Sequence, residues 1–447
     1  MVVEGWLARA ALARPQRVAV QTPAGSWTYA QLLEAARAGA EELHARGARP
    51  GERVAIALAP GLEFARALHA CMLLGAVAVP VDVRAPASEQ ARIAAGASVL
   101  VDGELSAAGD AAGRRPSAEL AGGHDLDATA VVLHTSGTTS QPRPVELTYG
   151  NFLWSALGSA VALGQDPAER WLCTLPVCHV GGLSILLRSC IYSTTAVVHE
   201  RFETDRVLWA LRSEGVTLVS VVATTLARLL DAGLERSPSL RCALTGGGAV
   251  PASLVERALD AGVPVSLTYG LTEACSQVTT TPLAALARDG GAAAGPALFC
   301  TRVRVADDRE ILVRGPTVSP GAAARDGWLH TGDLGSIEAE GRLRVDGRKA
   351  ETIVSGGENV APAEVEAALE AHPQVLEAAA VGRPDPDWGE AVTAVVVVRC
   401  GAATGEQELR EHCARTLAPY KVPKSIVLRS EPLPRTPSGK LKRRELR

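Results

Sequence analysis

Apolar and polar positions along this chain repeat on two periods, and the switches between them mark its elements. A T-x-x-Q box at Thr28 and Gln31 opens an amphipathic stretch, Tyr29 to Arg46, with helical spacing. The breakers of GARPG follow, then VAIAL, a short apolar run that reads as a strand. A second helical stretch, Leu62 to Leu74, leads into the strand-like GAVAVPVD. Helix–strand alternation of this kind predicts a mostly parallel sheet covered on both faces. Residues 84–127 are rich in Ala and Gly and weakly patterned, and read as a shortened, loosely built connection. The alternation resumes with VTLVSVVAT, LRCALTGGG and VPVSLTYG, each strand-like and each near a helix-like run.

From about Thr301 the texture changes. VRVAD, EILVRG and RLRVDG are short β-like runs between Gly and Asp turns, which predicts a small antiparallel unit. The DGRKAE turn over residues 346–351 is a candidate boundary. Beyond it the pattern predicts a helix (Pro362 to Ala371), a strand pair in EAAAVGRP and AVTAVVVVRC, a helix (Glu406 to Leu417) and a final lysine-bearing loop. The expected fold class is α/β. A large N-terminal region, residues 1–346, would combine layered α/β subdomains with a small β-rich subdomain. A small α/β C-terminal domain, residues 347–447, would follow. No internal repeat is visible.

Composition narrows the function classes. A formal net charge of -4 provides no basic field for nucleic acid, and the one dense cationic run, KLKRRELR, reads as a solvated tail. Nine Cys without a C-x-x-C pair or metal-ligand spacing, set in apolar contexts, predict buried free thiols in a reducing compartment. The N-terminus lacks a basic region, a continuous apolar region and a cleavage site in order. No apolar run reaches the ~20 residues that span a bilayer. A cytoplasmic location is the expectation.

Residues 131–149 read VVLHTSGTTSQPRPVELTY, a β-like run entering a Ser/Thr/Gly cluster and another leaving it. Thr135, Ser136, Gly137, Thr138 and Thr139 could wrap an anion with backbone N–H groups and hydroxyls. The cluster is not a Walker A sequence, and an ordinary Ser/Thr turn reads equally well. Four further segments follow in order: Gly246-Gly247-Gly248, Tyr269-Gly270-Leu271-Thr272-Glu273, Trp328-Leu329-His330-Thr331-Gly332-Asp333 ahead of Gly347-Arg348, and Pro434-Arg435-Thr436-Pro437-Ser438-Gly439-Lys440.

Together these segments resemble the adenylate-forming (AMP-binding) superfamily of acyl-CoA synthetases, luciferases and peptide-synthetase adenylation domains, over essentially the whole chain. The resemblance implies ATP, Mg²⁺ and coenzyme A as reactants and cofactor. It assigns the phosphates to residues 135–139, with Thr138 and Glu273 on Mg²⁺. It sets Tyr269 against adenine, Gly246–Gly248 and Gly270 beside the nucleotide, and Thr272 on the α-phosphate. Asp333 would accept the ribose hydroxyls, with Arg348 near the ribose or phosphate. Lys440 would be the mobile lysine of adenylation, and Gly356 and Gly357 would flank the pantetheine tunnel. The small C-terminal domain would be mobile, turning about Ala350 between the two half-reactions. Ser140, Arg143 and Ala350 stand where the family has Gly, Lys and Asp or Lys.

The acyl segment, LPVCHVGGLSILLRSC over residues 175–190, narrows the resemblance to the o-succinylbenzoate–CoA ligases of menaquinone synthesis. There His179, Gly181 and Gly182 would line the acid, His179 with a catalytic share. Arg188, Ser276 and Gln277 would hold the carboxylate that is not activated. Three alternatives stay open: another acyl-CoA synthetase, a stand-alone enzyme loading an aryl or acyl group onto a carrier protein, or a non-catalytic nucleotide-binding relative. The expected partners are small molecules, with no nucleic acid and no stable membrane insertion. A homodimer is left open.

Overall fold

The computed structural model describes residues 1–105, 120–135, 143–285, 293–399, 401, 404–435 and 441–447, and every structural statement below concerns those residues. The largest sheet has eight strands. Its spatial order is Ser276–Thr280, Val265–Leu271, Cys242–Thr245, Leu218–Val221, Arg170–Cys173, Thr195–Val198, Val18–Thr22 and Gly25–Thr28. The inner six run parallel and the two edge strands antiparallel. These strands are near-continuous apolar runs because both faces are covered. Trp171 and Cys173 enter one core with helices Tyr29–Ala45, Leu62–Leu74 and Val180–Tyr192, while Leu172 between them enters the other with Thr204–Ser213, Ala223–Asp231 and Ala252–Asp260.

A second sheet orders Val99–Val101, Arg53–Ile56, Val77–Pro80, Thr129–Thr135 and Arg143–Thr148, the first four parallel and the last antiparallel. A third is fully antiparallel: Arg302–Val305, Glu310–Arg314, Leu329–Ile337 and Leu343–Arg348. The C-terminal part builds its own sheet, in which Glu358–Val360, Ile353–Ser355, Gly389–Val398 and Val375–Asp385 pair in that order and Ser425–Arg429 joins Gly389–Val398. Helices Pro362–Glu370 and Glu406–Ala414 close a separate core over it, from Ile353 to Ile426.

Helix Tyr29–Ala45 shows how local chemistry sets a boundary. The Thr28 N–H donates to Gln31 Oε1 at 2.9 Å, and the Gln31 N–H donates to Thr28 Oγ1 at 3.3 Å, so two otherwise orphaned donors are satisfied reciprocally. Leu62–Leu74 has the ends expected of it and closes on Gly75 at φ 72°.

Three expectations are corrected. The stretch read as a shortened, loosely built connection, residues 84–127, carries regular elements in its described part: helix Ala87–Ala94, strand Val99–Val101 and strand Gly123–Asp125, which pairs with Val2–Glu4. The helix expected to run to Leu417 stops at Ala414. Not every described thiol is buried, because Cys178 and Cys300 are half-buried. No helix among the described residues is long and apolar enough to cross a membrane.

Candidate active site

The hairpin Val265–Leu271 to Ser276–Thr280 carries residues from both ends of the expected site. Its two strands meet so closely that a Cβ on Gly270 would lie 1.7 Å from the Ser276 carbonyl oxygen. At its base the Tyr269 hydroxyl donates to Asp333 Oδ2 at 2.8 Å, and Arg348 Nε reaches Asp333 Oδ1 at 3.0 Å. Asp333 and Arg348 face each other across neighbouring strands. The Asp333 N–H also donates to Thr331 Oγ1 at 3.0 Å, so Thr331-Gly332-Asp333 is held inside a strand. Burial pushes the Tyr269 hydroxyl pKa well up, which keeps it a donor. Tyr269 is thus brought to Asp333 and Arg348, which lie on two consecutive strands more than 60 residues further along the chain.

Thr272 and Glu273 lie in the 3-10 turn Thr272–Ala274. The Ser319 N–H donates to the Glu273 carbonyl at 2.8 Å and fixes the turn. The half-exposed Glu273 carboxylate takes no hydrogen bond or ion pair from the described residues. A hard oxygen left without a protein partner suits Mg²⁺, so this residue fits the ion. Gly246, Gly247 and Gly248 leave strand Cys242–Thr245 at its carboxyl end, where ligands bind in open α/β sheets. Thr135 ends strand Thr129–Thr135 opposite Arg143. Ser136, Gly137, Thr138, Thr139 and Ser140 lie outside the described residues, as does Lys440.

On the acyl side, His179 is the residue before helix Val180–Tyr192, and its carbonyl accepts the N–H groups of Gly182 and Leu183 at 3.1 and 3.0 Å. A Cβ on Gly182 would stand 2.4 Å from the Pro176 carbonyl oxygen, so only glycine lets this turn close. Gly181 faces the Leu175 side chain.

Arg188 is on the same helix but nine residues on, about 13 Å along the axis, so it is not beside His179. It is 3% exposed, and among the described residues it makes no ion pair. Its Nη2 donates to Ser155 Oγ at 2.8 Å, and Ser155 donates to the Cys275 carbonyl at 2.6 Å. Burial lowers the Arg188 pKa, and its Nε has no hydrogen-bond partner. The guanidinium therefore sits behind a turn in which Cys275 and Ser276 both adopt positive φ, 51° and 89°. Gln277, buried beyond that turn, donates to Thr280 Oγ1 at 2.7 Å and leaves its own Oε1 without a partner.

In the C-terminal part, Gly356 and Gly357 form a two-residue hairpin turn with φ 60° and 84°, a geometry that favours glycine. The Trp388 ring covers the turn: a Cβ on Gly356 would meet it at 2.8 Å. Lys424 Nζ lies 4.1 Å from the centroid of the same ring. Ahead of this unit, Lys349, Ala350 and Glu351 form a single 3-10 turn. Lys349 pairs with Asp308 at 2.6 Å and Glu310 at 3.5 Å, both on the small antiparallel sheet side. Glu351 pairs with Arg443 at 3.0 Å, on the C-terminal side.

Four residues at the site escaped the sequence reading. Ser155 relays Arg188 to the strained turn. Glu310 accepts the Gly332 N–H at 2.9 Å and anchors Lys349. Trp388 caps the glycine turn. Asp82 follows strand Val77–Pro80 and gathers with Cys178 and His179, their ligand atoms all within 4.8 Å of one another. Only Asp82 carried a sequence signal, an acid just beyond the carboxyl end of a buried parallel strand.

Comparison with known proteins agrees with this geometry. The AMP-binding enzyme model matches residues 7–321, and the AMP-binding enzyme C-terminal domain model matches residues 364–440. A 2-succinylbenzoate–CoA ligase of Bacillus cereus is 38% identical over 99% of this chain and 97% of its own length. Among solved structures, o-succinylbenzoate CoA synthetase (MenE) from Bacillus subtilis in complex with the acyl-adenylate intermediate OSB-AMP superposes with a TM-score of 0.90 at 35% identity, covering 100% of this chain and 98% of that one. The complex of the same enzyme with ATP and magnesium ion gives 0.89 at 35% identity, covering all of both chains. Its I454R/A456K double mutant bound to the product analogue OSB-NCoA gives 0.73 at 35% identity and the same coverage as the acyl-adenylate complex.

Proposed function

We propose that this chain, which belongs to the AMP-binding enzyme family, is an o-succinylbenzoate–CoA ligase of menaquinone synthesis. The acid's carboxylate attacks the α-phosphorus of ATP, pyrophosphate leaves, and the acyl-adenylate then passes its acyl group to the thiol of coenzyme A with release of AMP. The observation that carries this reading is the full-length likeness to a ligase holding its own acyl-adenylate, and the contacts that join Tyr269, Asp333 and Arg348 support it.

Each residue has a part in this proposal. Tyr269 and Gly246–Gly248 bound the adenine, Asp333 takes the ribose hydroxyls, and Arg348 orients Asp333. Residues 135–139 wrap the phosphates. Thr272 contacts the α-phosphate, where negative charge gathers during attack, and Lys440 brings a cation to the same oxygens. Glu273 and Thr138 would hold Mg²⁺, which when bound draws charge from the phosphate oxygens. His179, Gly181 and Gly182 shape one end of the acid pocket. Arg188, with Ser276 and Gln277 at the Cys275–Ser276 turn, supplies the positive charge that favours the second carboxylate. Gly356 and Gly357 give the pantetheine arm a thin wall beside Trp388.

The two-unit division at residues 346 and 347 belongs to the same proposal, as does rotation about Ala350. The same proposal takes the adenylation arrangement as the resting one, which a likeness of 0.90 to the acyl-adenylate complex against 0.73 to the product-analogue complex supports. A cytoplasmic location follows from the soluble reactants. Sedimentation of the free chain reads whether two copies pair.

The test is CoA-dependent AMP release from Mg·ATP with o-succinylbenzoate, benzoate, a medium-chain fatty acid or no acid. Release with o-succinylbenzoate alone is expected. Release with another acid would keep the mechanism and remove the substrate assignment. Adenylation without CoA-dependent release, read by pyrophosphate exchange, would turn the reading toward carrier-protein loading.

A further inference from the structure

Beside His179 the fold places Asp82 and Cys178, two donors that the proposed reaction does not use. We propose that Asp82, Cys178 and His179 form a binding site for a zinc-class divalent cation, and that its occupancy closes the acid pocket. The second clause rests on the placement of His179 in that pocket; the first does not.

Three kinds of ligand atom meet here: a carboxylate oxygen, a thiol sulfur and an imidazole nitrogen, all within 4.8 Å of one another. In a tetrahedral zinc site with bonds of about 2.0–2.3 Å, the ligand atoms stand roughly 3.3–3.8 Å apart. Small side-chain rotations close that difference. The backbone around them is fixed. Asp82 follows Val81, whose N–H donates to Ile56, and Asp82 Oδ1 accepts the Arg84 N–H at 3.0 Å. Cys178 and His179 sit in the turn closed by Gly182. All three residues are half-buried, so three protein ligands converge and solvent can supply the fourth, as in open zinc sites.

The donor set discriminates between metals. Sulfur and imidazole favour zinc or cadmium over the hard Mg²⁺ that accompanies ATP, so the two cations do not compete for one place. At present Arg84 occupies the carboxylate, with Nε and Nη2 each 2.8 Å from one of its oxygens. That arginine is 43% exposed and can swing into solvent, which makes it the group a cation displaces. The sulfur of Cys178 lies within 4.8 Å of the Asp82 carboxylate. Coordination replaces its S–H bond with a metal–sulfur bond and releases one proton to solvent.

The test uses the full chain without nucleotide, titrated with Cd²⁺ and with Zn²⁺. Ultraviolet absorption reads cadmium–thiolate bonds, and calorimetry reads zinc stoichiometry. One cation per chain with a thiolate band is expected. Cys178→Ser should abolish the band and weaken binding about tenfold or more. Cys300→Ser, which alters the other half-buried described thiol, should change neither. Arg84→Ala should tighten binding about threefold by removing the competing cation. In the ligase assay, zinc inhibition of the wild type should be relieved by raising o-succinylbenzoate, and Cys178→Ser should resist zinc relative to its own zinc-free rate. Absence of the band, or its survival in Cys178→Ser, would overturn the site. A band accompanied by zinc inhibition that ignores both the acid concentration and Cys178 would overturn the gating. Absent turnover with an intact band would point instead to the substrate assignment.

Discussion

Asp333 is held from two sides, by the Tyr269 hydroxyl and by the Arg348 guanidinium. Asp333→Asn turns one acceptor oxygen into an NH₂ that faces a donor. A loss of about 2 kcal/mol in nucleotide binding follows, roughly a thirtyfold rise in KM for ATP. Steady-state kinetics with ATP varied would show it, and an unchanged KM would remove Asp333 from nucleotide recognition. Arg188 makes a contrasting case, a buried cation that forms no ion pair among the described residues. Arg188→Met removes an uncompensated charge, so the melting temperature should hold or rise. KM for o-succinylbenzoate should rise by roughly tenfold or more while KM for ATP stays near its original value. Equal changes in both would reduce Arg188 to a support for the Cys275–Ser276 turn.

At the scale of elements, Glu370 ends helix Pro362–Glu370, and burial, aided by the charge of Glu366, raises its pKa from 4.5 to about 7. Between those two values the folded chain keeps a proton that the unfolded chain has lost. Stability from this group is therefore full below about pH 4.5 and falls as pH rises through about 7, by about 3 kcal/mol at most. Glu370→Gln keeps an acceptor for the Ala378 N–H and abolishes the titration. Its melting temperature should exceed that of the wild type at pH 8 and match it near pH 4.5. Parallel curves at all pH values would contradict this.

Elements of this kind were readable from sequence where one period dominated. Leu62–Leu74 and the strand at VAIAL stand where the pattern put them, because buried runs between breakers admit few readings. Residues 84–127 did not read well, since Ala-rich segments carry little periodic contrast and their helix and short strands are fixed by tertiary pairing. Tyr269, Asp333 and Arg348, which the structure brings together, were legible because each sits in a motif with its own turn chemistry. Ser155 and Trp388 were not legible, since they act only after elements distant in sequence bring them to a partner, and Asp82 offered only its place just beyond a buried parallel strand.

For the whole molecule, the separate apolar core from Ile353 to Ile426 implies two cooperative units. Calorimetry of the free chain should resolve two transitions, and a non-hydrolysable acyl-adenylate analogue should draw them together by binding both. A single transition in both conditions would mean that the halves melt as one. The turn between them is organised so that each ion pair closes on its own side: Lys349 with Asp308 and Glu310 before Ala350, Glu351 with Arg443 after it. Rotation about Ala350 leaves these three contacts intact, and so does recombination. A crossover between homologous genes at the codon for Ala350 would exchange the small C-terminal part without separating any of these charges from its partner. This codon is therefore a seam at which the C-terminal part can be exchanged with its own ion pair whole.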